Sequence, residues 1–396
     1  MRHLLILGVI ALSVFSLSSS SIAAPQEEKE WTLLVYLNGN NSLDDFGPTN
    51  IVQMQKIGST DKVNVVVQWA SLKAGTTKRL LVKQDTTSTA VTSPTIQDMG
   101  KVDMGDYNSL IDFVHWGVQN FPAKHYFIDV WDHGGGLHLD STSKPLDISW
   151  DDSTGHFFTI PQLGLALKDA AKTIGHKVDL YGSDACLMAM PEISNEMADS
   201  VSVFAGSEET EPGAGWPYTE LLKGWNDLEE SSALNVSKLL TDSYVDSYRG
   251  GSNGTEEVTF STFDLSKTSA INKAMTDLGQ NISGLSDASK AKVVTAITGT
   301  QTFIYNDFGD LGDFIKNLKS ANIDGVKADV VSEVEQALSQ FITANRSTPG
   351  SYARATGASI WLPSTKDTLD TYWSKYEPLQ FQQTTHWGDA LKSLFK

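Results

Sequence analysis

The strongest constraint on the fold is an alternation of two kinds of apolar segment over residues 31–209. Short runs rich in β-branched and aromatic residues predict strands, and the longer segments between them have helical spacing. Strands and helices that alternate in this way form a mostly parallel sheet covered on both faces, so the sequence predicts an α/β fold. The predicted strands are WTLLVYLNG (31–39), KVNVVVQWA (62–70), HYFIDVWDH (125–133), KVDLYGSDA (177–185) and SVSVFAGSE (200–208). The predicted helices between them are 109–122, 158–175 and 191–200.

The pattern changes in the second half of the chain, which is mainly helical beyond about residue 215. Two interruptions, EEVTFSTFDL (256–265) and GASIWLP (357–363), predict strands that return to the sheet. The predicted organisation is an α/β unit over residues 24–230, followed by a helical C-terminal region over residues 231–396. The predicted helices are 217–227, 231–249, 267–283, 287–299, 310–320 and 327–344, and RLLVKQ (79–84) predicts one more strand, in an antiparallel hairpin.

The first residues, MRHLLILGVIALSVFSLSSSSIAAPQ, have the order of a secretory signal peptide. A short basic start precedes an apolar stretch and then small residues. Cleavage after Ala23 would remove residues 1–23 and leave an exported protein, periplasmic or extracellular; the alternative is an uncleaved N-terminal anchor. No later segment is apolar enough for long enough to cross a bilayer, so we expect no membrane span in the mature chain.

The chain is strongly acidic, and this narrows the range of partners. Its 396 residues include 30 Lys and Arg against 48 Asp and Glu, a formal net charge of −18. Such a chain is a poor partner for nucleic acid and favours cationic ligands. Cys186 is the only cysteine, which rules out a disulfide within one chain. We expect a monomer.

Two predicted strands end in residues that carry chemistry. The strand over 125–133 ends in His133, with Gly134 next, and the strand over 177–185 leads directly into Cys186. Ligands of an open parallel sheet collect outside the carboxyl ends of its strands. If the two strands are parallel neighbours, imidazole and thiol emerge at the same edge, which is the arrangement that a thiol nucleophile and its base require.

The chemistry of such a pair follows from the residue types. A thiol is mostly protonated at neutral pH, and an imidazole can take its proton and later deliver one to a leaving amine. Glycine leaves backbone N–H groups uncovered, so the amides of Gly134 and Cys186 are the predicted donors to an oxyanion.

At this point the sequence resembles a known family. It resembles the clostripain-like cysteine peptidases, which are relatives of caspases, legumains and gingipains. Four motifs occur in the same order and context as in that family: WTLLVYLNGNNSLDD, VWDHGGGL, SDACLMAMPEI and GSEETEPGAGWPY. The resemblance covers roughly residues 31–220. It implies a caspase-like fold, a catalytic dyad of His133 with Cys186, and peptide or protein substrates cleaved after Arg or Lys.

The resemblance also implies a pocket for the basic side chain. In the family an aspartate two residues before the cysteine helps to form this pocket, and Asp184 occupies that position. A partly buried carboxylate recognises a cation through a charge-assisted hydrogen bond. Glu209 is the second predicted substrate-binding residue, with Glu208 and Glu211 as alternatives for the same pocket.

One departure from the family concerns maturation. Members are often processed by self-cleavage after a basic residue between the histidine and the cysteine. Here the loop over 141–155 offers only Lys144, which is followed by Pro145 and is therefore a poor cleavage site. The mature enzyme is predicted to be a single chain or to be processed elsewhere.

No cofactor is expected to be required, although the sequence leaves calcium binding open. Asp140, Asp151 and Asp152 could supply hard oxygen ligands to Ca²⁺. The alternative is an acidic, solvated loop without a bound ion.

Three other functions compete with a cysteine peptidase. A serine esterase would use HGGG as an oxyanion loop, but GGSNG (250–254) follows a predicted helix and precedes a predicted strand, the reverse of a nucleophile elbow. A metal-dependent hydrolase would use His133, His138 and Asp140. A catalytically silent binding or adhesion protein could keep the same fold.

Overall fold

The computed structural model describes residues 27–138 and 147–395, so the predicted signal peptide lies outside the described residues. The strands in these ranges are β1 (Lys29–Gly39), β2 (Val63–Ser71), β3 (Thr76–Leu81), β4 (Thr95–Gly100), β5 (Ala123–Trp131), β6 (Ile148–Asp151), β7 (His156–Phe158), β8 (Val178–Asp184), β9 (Val201–Gly206), β10 (Arg249–Gly251), β11 (Gly254–Thr255), β12 (Thr259–Asp264), β13 (Phe308–Asp310), β14 (Ile342–Ser347) and β15 (Ser359–Trp361). The helices are α1 (Phe46–Gln55), α2 (Tyr107–Asn120), α3 (Ile160–Ile174), α4 (Pro191–Met197), α5 (Tyr218–Asp227), α6 (Ala233–Ser247), α7 (Thr268–Ser283), α8 (Asp287–Thr298), α9 (Leu311–Ala321), α10 (Ala328–Phe341), α11 (Lys366–Tyr376), α12 (Gln380–Thr385) and α13 (Trp387–Ser393). None of these helices is both long and apolar enough to span a membrane.

A central sheet of nine strands organises the described part of the chain, in the order β14-β12-β9-β8-β5-β1-β2-β3-β4. The middle five strands, β9, β8, β5, β1 and β2, are parallel to one another. The strands at both edges pair antiparallel with their neighbours. The mostly parallel sheet with flanking helices is therefore confirmed, and the predicted hairpin strand corresponds to β3, antiparallel to β2.

The sheet is buried on both faces because successive side chains of a strand point to opposite sides. In β1, Leu34 and Tyr36 contribute to one apolar core, and Leu33, Val35 and Leu37 contribute to the other. Helices α2, α3 and α7 cover the first face, and α1, α5 and α6 cover the second. The continuous apolar run that predicted this strand is therefore explained by its central position.

Only one of the two predicted returning strands joins the central sheet. The segment 256–265 does so as β12, which pairs antiparallel with β9. The prediction that 357–363 joins the same sheet is wrong, because β15 pairs antiparallel with β13 in a separate two-stranded sheet. Trp361, the last residue of β15, also donates its backbone N–H to Glu192 at 3.0 Å. A short apolar run predicts a strand, but its partner is decided by tertiary packing.

The end of the helix predicted over 327–344 is also different in the structure. Helix α10 stops at Phe341, and Ile342 begins β14 at the edge of the central sheet. Ile342 and Thr343 are β-branched, a type that favours strands. Pairing with β12 supplies hydrogen bonds that a further turn of helix would otherwise have made.

The register between β5 and β8 fixes the position of the functional edge. These strands are parallel neighbours, and Trp131 lies opposite Asp184 where both strands end. The connection between them runs through α3, which begins with a capping box formed by Thr159 and Gln162. Residues just beyond Trp131 and Asp184 therefore emerge side by side.

Candidate active site

His133 and Cys186 each lie two residues beyond this paired position. The Asp132 N–H donates to the Asp184 carbonyl at 3.2 Å, which extends the pairing by one step. Both residues line one cavity of about 210 Å³ at the carboxyl edge of the sheet. The structure thus brings the predicted imidazole and thiol to a common cavity.

Gly134 lies unusually close to the chain that carries the thiol. A Cβ atom at this position would be 2.5 Å from the carbonyl oxygen of Cys186, closer than any side chain allows. Gly134 also forms an isolated bridge with Ile148, which holds this turn against the next strand. Glycine is required here by close backbone approach rather than by its own torsion angles.

The sulfur of Cys186 faces backbone amides. The N–H of Glu211 donates to Sγ at 3.3 Å, and the N–H groups of Gly134 and of Cys186 itself also interact with the sulfur. Burial raises the pKa of the thiol, the amides oppose this, and the nearby charge of Glu209 adds to the rise. The thiol is therefore protonated at rest and needs a base to become a nucleophile.

His133 is held through its backbone and through one ring nitrogen. Its N–H donates to the buried Asp132 carboxylate at 2.5 Å, and its Nε2 lies 2.9 Å from the Ser42 hydroxyl. The side chain is exposed on one side, but the protein wall on the other removes water and lowers the pKa of the imidazole. The charge of Asp152 opposes this shift. A neutral imidazole is competent to accept a proton.

The floor of the cavity is acidic. Asp184 Oδ2 accepts hydrogen bonds from the Tyr218 hydroxyl at 2.8 Å and from the Trp216 N–H at 3.2 Å, and Glu211 Oε2 accepts one from the Trp216 indole at 3.1 Å. Burial raises the pKa of Asp184 to about 7. Burial also raises the pKa of Glu211 well above its usual range, and the nearby charge of Asp184 adds to the rise. Ionisation of Asp184 near pH 7 therefore gives the cavity a negative charge.

The second predicted pocket residue, Glu209, lies outside this cavity lining, and Glu211 takes its place. Glu209 is buried, and its Oε1 accepts the N–H of Thr210 at 2.7 Å. Glu208 is buried on the other side, against Asp310. The sequence does not distinguish these glutamates, because the one that lines the cavity is decided by how the chain turns after Glu211. The Trp216 indole, which reaches back to Glu211, is the feature that marks it.

The predicted calcium ligands are occupied by protein donors where they are described. Asp151 accepts hydrogen bonds from Asn40 Nδ2 and the Met104 N–H, each at 2.9 Å, and Asp152 accepts one from the Trp150 indole at 2.6 Å. Asp140, like Lys144 of the maturation loop, lies outside the described residues. Within residues 27–138 and 147–395, no group of three or more His, Cys, Asp or Glu side chains is placed to hold a metal ion.

The features that favoured other hydrolases are engaged elsewhere. His138 Nε2 lies 2.7 Å from the Tyr372 hydroxyl, and its ring stacks on Tyr305. Ser252 of GGSNG lies between β10 and β11, which form a small antiparallel pair. That hairpin lacks the strand-to-helix turn that a serine nucleophile elbow needs.

Fold and site together define a caspase-like α/β protein with a thiol and an imidazole at adjoining strand ends. The chain belongs to the clostripain family, peptidase family C11, whose sequence profile matches residues 35–394. The predicted family is thereby confirmed, and with it, at the level of the family, the class of cysteine endopeptidases.

Known proteins support the same assignment. Clostripain from Hathewaya histolytica is 22% identical over 320 residues, which cover 69% of this chain and 60% of clostripain. The chain thus spans about three fifths of the length of that relative.

Two solved structures resemble the fold. A secreted C11 cysteine protease from Bacteroides thetaiotaomicron, in complex with an irreversible peptide inhibitor, has a TM-score of 0.71 at 18% identity and covers 91% of this chain and 99% of its own. An inactive zymogen C11 protease from Parabacteroides distasonis has a TM-score of 0.69 at 15% identity, with the same coverage of 91% and 99%. At these identities the likeness concerns the fold alone.

Proposed function

We propose that this chain is an exported cysteine endopeptidase that cleaves peptide bonds after Arg or Lys, with Cys186 as nucleophile and His133 as general base. One observation carries the proposal. A single cavity has His133 and Cys186 among its lining residues, together with the two carboxyls of Asp184 and Glu211. A scissile carbonyl at the thiol would therefore place the preceding side chain next to an acidic wall.

The resting protonation states suit a general-base mechanism. Because the pKa of Cys186 is raised and that of His133 is lowered, the pair is neutral before substrate binds. His133 takes the Sγ proton as sulfur attacks the carbonyl carbon, and the same proton passes to the leaving amine as the C–N bond breaks. Water then gives a proton to His133 and its oxygen adds to the thioester. The C–S bond breaks, and sulfur recovers the proton.

The negative charge that develops on the carbonyl oxygen needs fixed donors. The amides of Gly134 and Cys186 already face the sulfur atom in the unliganded site. An oxygen bonded to the carbon under attack would lie beside the same atom. We therefore assign these two N–H groups to the oxyanion, where each preorganised donor contributes to the rate.

The acidic wall suits a cation on the substrate residue that precedes the cleaved bond. A guanidinium or ammonium group in the cavity would lie near Asp184 and Glu211, and its charge would favour the ionised forms of both carboxyls. A neutral side chain would leave the carboxylate unpaired and buried, which is unfavourable. Basic residues are therefore preferred by charge.

Fluorogenic peptides that end in Arg, Lys or Gln before the reporter test the activity. We expect the Arg and Lys peptides to be cleaved, and Cys186→Ala and His133→Gln to reduce turnover to background. His125→Gln is the matched control, since His125 is a partly buried histidine on β5 paired with Asp179. Unchanged cleavage by Cys186→Ala would exclude the thiol mechanism, and an inactive wild type would favour a binding protein on this fold.

Specificity is tested by the cleavage profile of Asp184→Asn. We expect it to lose preference for Arg and Lys over Gln while retaining a reactive thiol. Asp199→Asn is the control, because Asp199 is an exposed aspartate at the opposite end of β9. An unaltered profile would remove Asp184 from the pocket.

Export is supported by the N-terminal pattern of residues 1–23 and by the secreted relative from Bacteroides thetaiotaomicron. Expression of the full chain in a Gram-negative host, followed by N-terminal sequencing of the extracytoplasmic product, should give a chain that starts at Ala24. A product that keeps residue 1 and remains with the membrane fraction would support the anchor instead.

A further inference from the structure

Ser42 makes a contact that the two-residue mechanism does not use. It follows β1, and its Oγ lies 2.9 Å from Nε2 of His133. Both side chains are exposed, so apolar packing does not explain why they meet. A hydrogen bond to one ring nitrogen of a catalytic imidazole decides what the other nitrogen can do.

Hydrogen bonds made by the preceding residue of each segment hold both sides of this contact in place. Asn41, which precedes Ser42, donates its Nδ2 to Asp132 Oδ1 at 2.6 Å and to the Trp150 carbonyl at 2.8 Å. Asp132, which precedes His133, accepts the His133 N–H with the same oxygen. A buried hydrogen bond between Asn41 and Asp132 thus aligns the next residue of each segment. The serine is held opposite the imidazole by its neighbours.

Building on the proposed function, we propose that Ser42 is a positioning residue that accepts the Nε2–H of His133 and leaves Nδ1 as the basic nitrogen. A neutral imidazole carries one proton, so a fixed Nε2–H makes Nδ1 the proton acceptor. When the imidazolium forms, Nε2–H stays bonded to the serine oxygen and only Nδ1 gains and loses a proton. In the opposite arrangement the hydroxyl donates to Nε2, and the lone pair of the basic nitrogen is then engaged by Ser42.

Kinetics of two variants test this role. Ser42→Ala removes the acceptor, and Ser42→Thr keeps a hydroxyl at an exposed position. We expect kcat of Ser42→Ala to fall about tenfold with KM unchanged, because one hydrogen bond to the ring is lost. Ser42→Thr should stay within about twofold of wild type. Wild-type kcat in Ser42→Ala would overturn the proposal.

The tautomer gives a second readout that needs no turnover. In ¹⁵N-histidine-labelled protein, with His133 assigned by the His133→Gln variant, we expect the wild-type ring to be protonated at Nε2 and the Ser42→Ala ring to be a mixture of tautomers. A wild-type Nδ1–H tautomer would overturn the proposal. If wild type cleaves no peptide, the proposed function fails, and the tautomer still decides the role of Ser42. Spectra are taken at several pH values, because Asp152, Cys186, Asp184 and Glu211 share this cavity or act on His133.

Discussion

The Tyr218 hydroxyl lies 2.8 Å from Oδ2 of Asp184, the carboxylate assigned to substrate recognition. The same hydroxyl lies 2.7 Å from Oδ2 of Asp129, a fully buried residue on β5. A hydroxyl has one proton, so it can satisfy only one of the two carboxyl groups at a time. Burial raises the pKa of Asp129 well above its usual range, which leaves Asp129 protonated and able to donate in turn.

Tyr218→Phe should therefore weaken the binding of basic side chains in the pocket without changing the reactivity of the Cys186 thiol. Loss of the hydroxyl leaves two buried carboxyl groups short of a partner, and we expect the free energy of unfolding to fall by about 1–3 kcal/mol. KM for Arg and Lys peptides should rise, because the pKa of Asp184 rises when a hydrogen bond to its charged form is lost. Urea unfolding and steady-state kinetics measure the two effects. Tyr107→Phe, a half-buried tyrosine on α2, is the control, and equal effects of both variants would contradict the prediction.

The raised pKa of Asp184 also predicts how stability depends on pH. The folded state holds this proton up to about pH 7, and the unfolded chain releases it near the ordinary carboxyl value of about 3.9. The group therefore contributes stability that is fully present at low pH and is lost as pH rises toward 7. The groups that face it are Glu211, Asp129, Tyr218 and the Trp216 N–H.

Unfolding free energy measured from pH 4 to pH 8 should fall less steeply in unliganded Asp184→Asn than in wild type. KM for an Arg peptide should fall in wild type over the same range, as the carboxylate forms. Parallel stability curves for the two proteins would show that Asp184 does not titrate in this window.

The edge that carries the site could be predicted from sequence, whereas the contacts around it could not. Strand period and chain order place His133 and Cys186 at neighbouring strand ends, because parallel strands joined by one helix end at the same edge. Ser42 lies 91 positions from His133, and no local pattern links the two. The choice of Glu211 over Glu209 depends on a turn, and the partner of β15 depends on packing in the C-terminal region.

Glu211, which is half-buried, and Glu209, which is buried, are two nearby acids with different expected roles. Glu211→Gln removes a carboxyl from the cavity. KM for Arg and Lys peptides should rise about tenfold, because one charged hydrogen bond to the substrate is lost. Glu209→Gln removes a charge that raises the pKa of Cys186 without lining the pocket. Its KM should be unchanged, and its thiol should react with iodoacetamide at lower pH. The reverse result would return Glu209 to the pocket, as the sequence alone suggested.

Lys375 on α11 forms an ion pair with Asp147, just before β6, and ties the C-terminal region to the active-site turn. Lys375 Nζ also donates to the His138 carbonyl at 2.9 Å, while the Gly135 N–H donates to the Asp147 carbonyl at 3.0 Å. The two charged side chains are only 16% and 2% exposed. Burial raises the pKa of Asp147 and lowers that of Lys375, so their attraction does not fully offset the loss of hydration.

Lys375→Met should lower the free energy of unfolding by about 3–5 kcal/mol, because it leaves the Asp147 charge buried and unpaired. Adding Asp147→Asn should recover part of that loss, since the unpaired charge disappears while an oxygen remains for the Ile160 N–H. Lys366→Met is the control on the same helix, where the ion pair with Asp370 is exposed and should contribute little. Urea unfolding of wild type, Lys375→Met, the single Asp147→Asn variant and the double variant measures the coupling, with Lys366→Met unfolded alongside as the control. If Lys375→Met were no more destabilising than Lys366→Met, the buried pair would not be what joins α11 to the active-site turn.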